Sequence, residues 1–196
     1  MRLKIHPVTR KVQRSAVAKW HSHHKPTIGE TIALGGFVDD ALVAVIVMGV
    51  PVSPALQDGK TWEVTRLAVG PAAPRFAASR LLGAAGRVMD AAGVERQISY
   101  TRIDENGTCY KAAGWVRTGT VKPDTHTHGN RATFLPGVWQ HSTDAIERVR
   151  WERGEYVRNL ERAEAAARGV SVARLREVAR EALARAVEAL NVKEPG

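Results

Sequence analysis

One cysteine, Cys109, stands in a chain of 196 residues, so no disulfide can form within it. That excludes the disulfide-stapled class of small secreted domains and fits a reducing compartment. Long apolar runs are missing too. The longest, Ala41 to Val50, holds about ten residues, whereas a membrane-spanning helix needs about 20. The opening MRLKIHPVTR carries charge but no apolar core. No secretory leader and no membrane partner are therefore expected, and the cytoplasm is the expected location. Neither a sustained heptad nor an internal repeat is present, which sets aside coiled coils and solenoids. Acidic residues are absent from residues 1–25 altogether.

That last absence shapes the charge. Residues 1–25 carry seven basic side chains, Arg2, Lys4, Arg10, Lys11, Arg14, Lys19 and Lys25, in a chain of net charge +9. From Asp144 onward, eleven basic residues nearly balance ten acidic ones. The positive field therefore belongs to the N-terminal segment and not to the tail. A polyanion near it, with nucleic acid the usual candidate, accounts for this; so does a solvated, soluble face.

With 44% hydrophobic residues the chain can bury a core. Val8, Val12, Ala16 and Trp20 predict a helix over 9–24, with Lys11, Arg14 and Lys19 off its stripe and Pro26 ending it. Residues 30–38 and 41–50 read as a hairpin turned at Asp39-Asp40. A strand over 62–69, a helix over 76–92, a strand over 94–101 and a short helix over 106–113 follow. Gly83 and Gly86 lower helix propensity but permit close approach to a sheet. Residues 115–120 and 131–135 are expected to pair as closing strands around the polar loop KPDTHTHGN. Beyond His141 the composition turns to Ala, Arg and Glu, which predicts helices over 146–168 and 171–190. Ser171 caps the second, and Leu175, Val178, Leu183, Val187 and Leu190 stripe it. Charges of both signs suit packing or homodimerisation better than a DNA-binding arm. The expected organisation is a domain over 1–140 and a helical extension over 141–196.

The segments EVTRLAV, PRFAASRLLGAAGRVMDAAG, VERQISYT and NGTCYKAAGW run strand, helix, strand, short helix. Over residues 1–136 this order resembles the GNAT superfamily of acyl-coenzyme A transferases. The resemblance implies an α/β fold with a mixed, mostly antiparallel sheet and flanking helices, here followed by a helical tail. It implies acetyl-coenzyme A or a related acyl-coenzyme A as cofactor. The strand end Leu67, Ala68 and Val69 and the helix start Arg75, Phe76, Ala77, Ala78 and Ser79 would receive it, with Tyr110 near the thioester sulfur. A helix N-terminus suits a pyrophosphate on physical grounds alone, because its N–H groups lack partners. The usual loop is Arg/Gln-x-x-Gly-x-Gly/Ala. This chain has Arg75-Phe76-Ala77-Ala78-Ser79-Arg80, without glycine.

A narrower resemblance rests on EVTRL, a serine in the next helix, SYTRIDENGTCYKAAGW and the run Trp20-His21-Ser22-His23-His24. These are similar to the Mom-type DNA-modification proteins of phages and to related small phage and bacterial proteins. That likeness implies functional roles for Arg66, Ser79, Asp104 and Tyr110. It implies double-stranded DNA as partner, adenine N6 as target, an acetamido-type product and an anti-restriction role. Plain acetyl transfer does not by itself make an acetamido product, so the resemblance leaves the chemical step open.

Each residue also has a structural reading. Arg66 sits in an apolar strand and needs a partner, which is Glu63, Asp104 or a substrate. Tyr110 suits a general acid, or a half-buried packing role. Asp104 suits a base or orienting group, or a helix cap. His21 and His24 share a helix face as base, DNA contact or dipole-favoured helix end. As a metal pair they lack a clear third ligand, which makes them a weak metal signal and leaves the metal open. Glu63, Lys19, His23 and Lys25 complete the expected substrate-binding set. Three functions compete: a Mom-like transferase that flips a base into its cleft, an ordinary N-acetyltransferase of a small amine or protein, and a non-catalytic GNAT-like binding module.

Overall fold

The computed structural model describes residues 2–21, 31–122 and 146–174, together with 177, 178 and 181. The chain divides into two compact units, Met1–Gly154 and Glu155–Gly196.

In the first unit, β1 (Lys4–Pro7) leads into α1 (Arg10–Trp20). A hairpin of β2 (Thr31–Val38) and β3 (Ala41–Gly49) turns on Asp39 and Asp40, both at positive φ. Then come β4 (Thr61–Val69), α2 (Ala77–Ala91), β5 (Arg96–Arg102) and α3 (Thr108–Ala112). Strands β6 (Val116–Val121) and β7 (Arg148–Gly154) complete the unit. The sheet order is β1-β2-β3-β4-β5-β7-β6. Among the described strands only β4 and β5 run parallel, so the sheet is mixed and mostly antiparallel, as expected.

Strand β3 carries the core because helices cover both of its faces. Ala44, Ile46 and Met48 pack with Leu81, Leu82, Ala85 and Met89 of α2. Val45 and Val47 pack with Ala16 and Val17 of α1. A strand buried on both faces reads as one continuous apolar run, which is the ALVAVIVMGV segment.

The buried face of α1 differs from the expected stripe. Gln13, Ala16 and Val17 are buried and Trp20 is partly buried, while Val12 is exposed. A strict four-residue spacing drifts about 40° per step around a helix of 3.6 residues per turn, so Val12 rotates off the face that Ala16 keeps, while Val8 precedes the helix and packs on the same core.

A second difference lies at the sheet edge. The partner of β6 is β7, and β7 also pairs with β5. Residues 131–135 lie outside the described residues. The helix expected from 146 begins instead at Glu155, so the first unit extends beyond the boundary read at 140. RVRWERG is a strand because it alternates with period two. Val149 and Trp151 join the α2 core, while Arg148, Arg150 and Glu152 take the other face.

That other face holds a buried ion cluster. Glu152 is 1% exposed, accepts from Arg96 Nε at 3.1 Å and Nη2 at 2.7 Å, and forms an ion pair with Arg150 Nε at 2.8 Å. On the α2 side, Gln97 Nε2 donates to Gly86 O and to Asp90 Oδ1, while its Oε1 accepts from Arg153. Gly86 is the close approach expected of that helix: a Cβ there would lie 2.6 Å from the Arg153 guanidinium.

In the second unit, α4 (Glu155–Ala167) ends before Gly169 at positive φ. Ser171 Oγ then accepts from Arg174 N at 3.1 Å, the expected cap. Leu175, Leu183, Val187 and Leu190 lie outside the described residues.

Glu152→Gln leaves two guanidinium groups facing a neutral amide inside the sheet. Removing one partner of a buried ion pair costs about 3–5 kcal/mol, so urea unfolding should show a loss of that order. A midpoint unchanged from wild type contradicts the assignment.

Candidate active site

Strands β4 and β5 pair only from Thr61 to Val64 and from Arg96 to Ser99. Beyond that rung each continues with its other neighbour. Arg66 to Val69 stay on β3, and Tyr100 to Arg102 stay on β7. The two parallel strands therefore part, and a V-shaped opening begins at Val64 and Ser99. A bulge marks the same place: Met48 pairs with Val64 and Val47 with Arg66, which leaves Thr65 as the extra residue. Such a bulge bends the strand and re-aims its side chains.

Ser99 closes the last rung. Its Oγ donates to Val64 O at 3.0 Å and lies 2.8 Å from Tyr110 Oη. A serine has one proton, and the Val64 carbonyl can only accept. With both bonds made, Tyr110 is the donor to Ser99. Tyr110 is 4% exposed, where the sequence allowed a half-buried residue. Its ring stacks on Trp151 at 5.3 Å and meets Trp115 edge-on at 5.8 Å. Burial raises the phenol above its ordinary range, against a smaller opposing effect from the Ser99 bond, so the proton stays on.

Glu63 and Arg66 line the same opening from the opposite face. Val64 belongs to the α2 core and Ala68 to the α1 core, so alternation turns Glu63 and Arg66 toward the α1 side. Glu63 is 7% exposed, and its Oε2 accepts from Val52 N at 2.9 Å. Burial raises its carboxyl above the ordinary carboxylate range, while the Val52 bond and the charges of Arg66 and Arg148 pull it down. Burial lowers Arg66, and Glu63 opposes that shift. Arg66 Nη1 also donates to Thr65 O at 2.6 Å. Of the two acids considered for Arg66, Glu63 is thus its electrostatic neighbour.

Asp104 follows β5 in a turn, and its carboxylate takes two bonds from Arg102, at 3.1 and 3.0 Å. It does not cap α3, whose N-cap is Gly107 with no side-chain cap bond; just before it Asn106 Oδ1 accepts from Thr108 N at 3.0 Å. Cys109 is half-buried, and burial raises its thiol, which disfavours the nucleophilic thiolate.

The start of α2 follows the open end of β4. No side chain caps it. Ala77 is wholly buried, while Arg75, Phe76 and Arg80 are exposed. Arg80 sits over the Phe76 ring at 5.6 Å. Ser79 Oγ donates back to Phe76 O at 3.0 Å. Leu67 packs on the α2 core and Ala68 on the α1 core, and Val69 is exposed.

Residue His21 ends α1, its N–H bonded to Val17 O at 2.9 Å. Lys19 is exposed in the last turn of that helix. His23, His24 and Lys25 lie outside the described residues. Among the described residues no three His, Cys, Asp or Glu side chains converge as metal ligands.

A family model described as the Mom protein family matches residues 2–179. The chain belongs to the Mom protein family. This Mom-family chain is also similar in structure to GNAT acetyltransferases. One, the acetyltransferase of GNAT family from Streptococcus pneumoniae, aligns with TM-score 0.53 at 12% identity over 78% of this chain and 98% of its own. The IAA acetyltransferase from Bacillus cereus gives 0.54 at 12% identity over 77% and 98%. A Bacillus subtilis acetyltransferase in complex with CoA gives 0.50 at 12% identity over 78% and 99%. Likeness at such low identity shows the fold, and the fold is GNAT. No curated protein matches the chain.

Ser99 and Trp151 escaped the sequence reading of this Mom-family site. Ser99 is one of several polar residues in RQISYTR, so nothing local singles it out. Trp151 lies in a segment whose Arg- and Glu-rich composition reads as helix.

Gly107 precedes α3 at φ 61, and a Cβ there would run into the Trp151 ring. Gly107→Ala should therefore push Trp151 off Tyr110 and destabilise the fold by about 1–3 kcal/mol. Thermal unfolding and the near-ultraviolet circular dichroism of the tryptophans check this; a variant unchanged in both contradicts it.

Proposed function

We propose that the chain is a DNA-modifying transferase that acts on adenine N6 with an acyl-coenzyme A type of donor. The observation that carries this reading is the family match over residues 2–179, on a fold whose parallel strands part at Ser99.

The donor fits the residues present. Beyond Val64 the main chain of β4 has no β5 ladder, so its edge is open to a pantetheine-like amide chain. The uncapped start of α2 offers N–H groups to a pyrophosphate, with Arg75 and Arg80 beside it. Leu67, Ala68, Val69 and residues 75–79 would hold the group. When bound, it supplies an acyl carbon activated as a thioester.

The chain's own groups then divide the protons. Glu63 faces the opening from the α1 side and is the base that takes the proton of the attacking amine. Tyr110 faces it from the α2 side and is the proton source for the departing thiolate. Arg66 keeps Glu63 charged when the proton has left. Seven basic residues in 1–25 supply attraction for the phosphate backbone.

DNA from cells expressing the protein should contain a heavier adenine nucleoside by mass spectrometry, and the Tyr110→Phe variant should lose it. Finding only standard nucleosides, with soluble protein present, rejects the reading. Thermal shift separates the rivals. A shift with acetyl-coenzyme A but not with duplex DNA supports an ordinary N-acetyltransferase, and the reverse supports a non-catalytic binding module.

Glu63 gives a pH test. If it is the base, activity should rise with pH through a value above the ordinary carboxylate range, and Glu63→Gln should lose roughly 100-fold or more. The stability sign is opposite. A carboxyl raised in the fold contributes stability below its unfolded pKa and loses it as pH rises through the folded one. The stability of wild type relative to Glu63→Gln should therefore fall as pH rises through the folded pKa. A variant that keeps wild-type activity contradicts the assignment.

A further inference from the structure

The sheet face that carries Glu63 and Arg66 continues across β5 and β7. Ser99 and Thr101 bond to Tyr110 and Trp151 on the α2 side, so Tyr100 and Arg102 point the other way. On β7, Arg150 is in register with Tyr100, and Arg148 with Arg102. Helix α1 packs on β2, β3 and β4, the other half of this face. Tyr100 is thus a half-exposed aromatic with Arg102, Arg148 and Arg150 around it and the opening at its edge.

The acids on this face are already engaged. Glu152 is buried between Arg96 and Arg150. Asp104 pairs with Arg102 at 3.0 Å, an exposed contact of the kind that exchanges readily for another anion. Glu63 is turned toward Val52, Arg66 and Arg148.

We propose that this face takes one unstacked nucleotide of DNA, its base laid on the Tyr100 ring and its flanking phosphates held by Arg102 and Arg148. The inference rests on the reading that DNA is the acceptor and names where it docks. Both halves of the ligand are matched. A base needs a flat aromatic surface, since stacking tolerates any base. A phosphate needs a guanidinium, whose fork pairs two oxygens at once. An acidic peptide would use the arginines but leave the aromatic without a role. A base held on Tyr100 lies beside Glu63 and Arg66, where an exocyclic amine can enter the opening.

The test is fluorescence anisotropy with the full chain and a labelled single-stranded oligodeoxynucleotide, with dextran sulfate as a polyanion that has no bases. Tyr100→Leu should weaken the oligonucleotide by roughly 5- to 100-fold, the range of one lost stack. It should leave dextran sulfate unchanged, and Tyr100→Phe should bind like wild type. Arg148→Gln should lower the slope of log affinity against log salt by about one. Wild-type affinity in Tyr100→Leu, or an equal loss toward dextran sulfate, overturns the docking site and leaves the DNA reading standing. Absence of oligonucleotide binding by wild type overturns the docking site, and absence of duplex binding as well overturns both.

Discussion

The single constraint on which the site depends is the end of the β4–β5 ladder. Two strands that part inside a sheet expose main-chain groups, and buried groups of that kind are paired in folded proteins. Here the Ser99 hydroxyl binds the Val64 carbonyl at the last rung. That bond fixes where its oxygen can accept, and so where the Tyr110 hydroxyl must sit. Tyr110 in turn needs the Trp151 ring beneath it, and Trp151 needs a residue without a Cβ at Gly107. The opening, the proton donor and the packing behind it form one chain of dependence that starts from a serine.

The bulge at Thr65 completes the arrangement on the other strand. Without the extra residue, alternation would carry Glu63 and Arg66 to opposite faces, because they are three positions apart. With it, both lie on the α1 side. The carboxyl and the guanidinium can then balance each other in a buried setting that suits neither alone. A one-residue irregularity thus turns a poor burial of charge into a usable pair.

Much of this was legible in the sequence where the local pattern was strong. Continuous apolar residues announced β3, and the order strand, helix, strand, short helix announced the GNAT core, with Tyr110 on the short helix. What was hidden had a physical reason. The arginines and glutamates of β7 have the composition of a surface helix, and only the alternation of Val149 and Trp151 shows the strand. The buried face of α1 includes Gln13, which a hydrophobicity pattern discounts. The parting of β4 and β5 depends on long-range pairing that no local signal encodes, so Ser99 and the pairing of Glu63 with Arg66 needed the fold to be seen.

The phosphate loop without glycine can be placed within this picture. In Arg75-Phe76-Ala77-Ala78-Ser79-Arg80, Ala77 faces the core with no exposure, so its methyl group is part of the packing under α2. Ala78 and Arg80 stand where the usual loop has small residues that let phosphate approach the main chain. An added Cβ at Ala78 narrows that approach, while the Arg80 guanidinium, resting on Phe76, brings a positive charge to the same end of the helix. For the donor proposed above, this moves recognition from backbone N–H groups toward side-chain charge. Such a site is less selective for one phosphate geometry and more sensitive to salt.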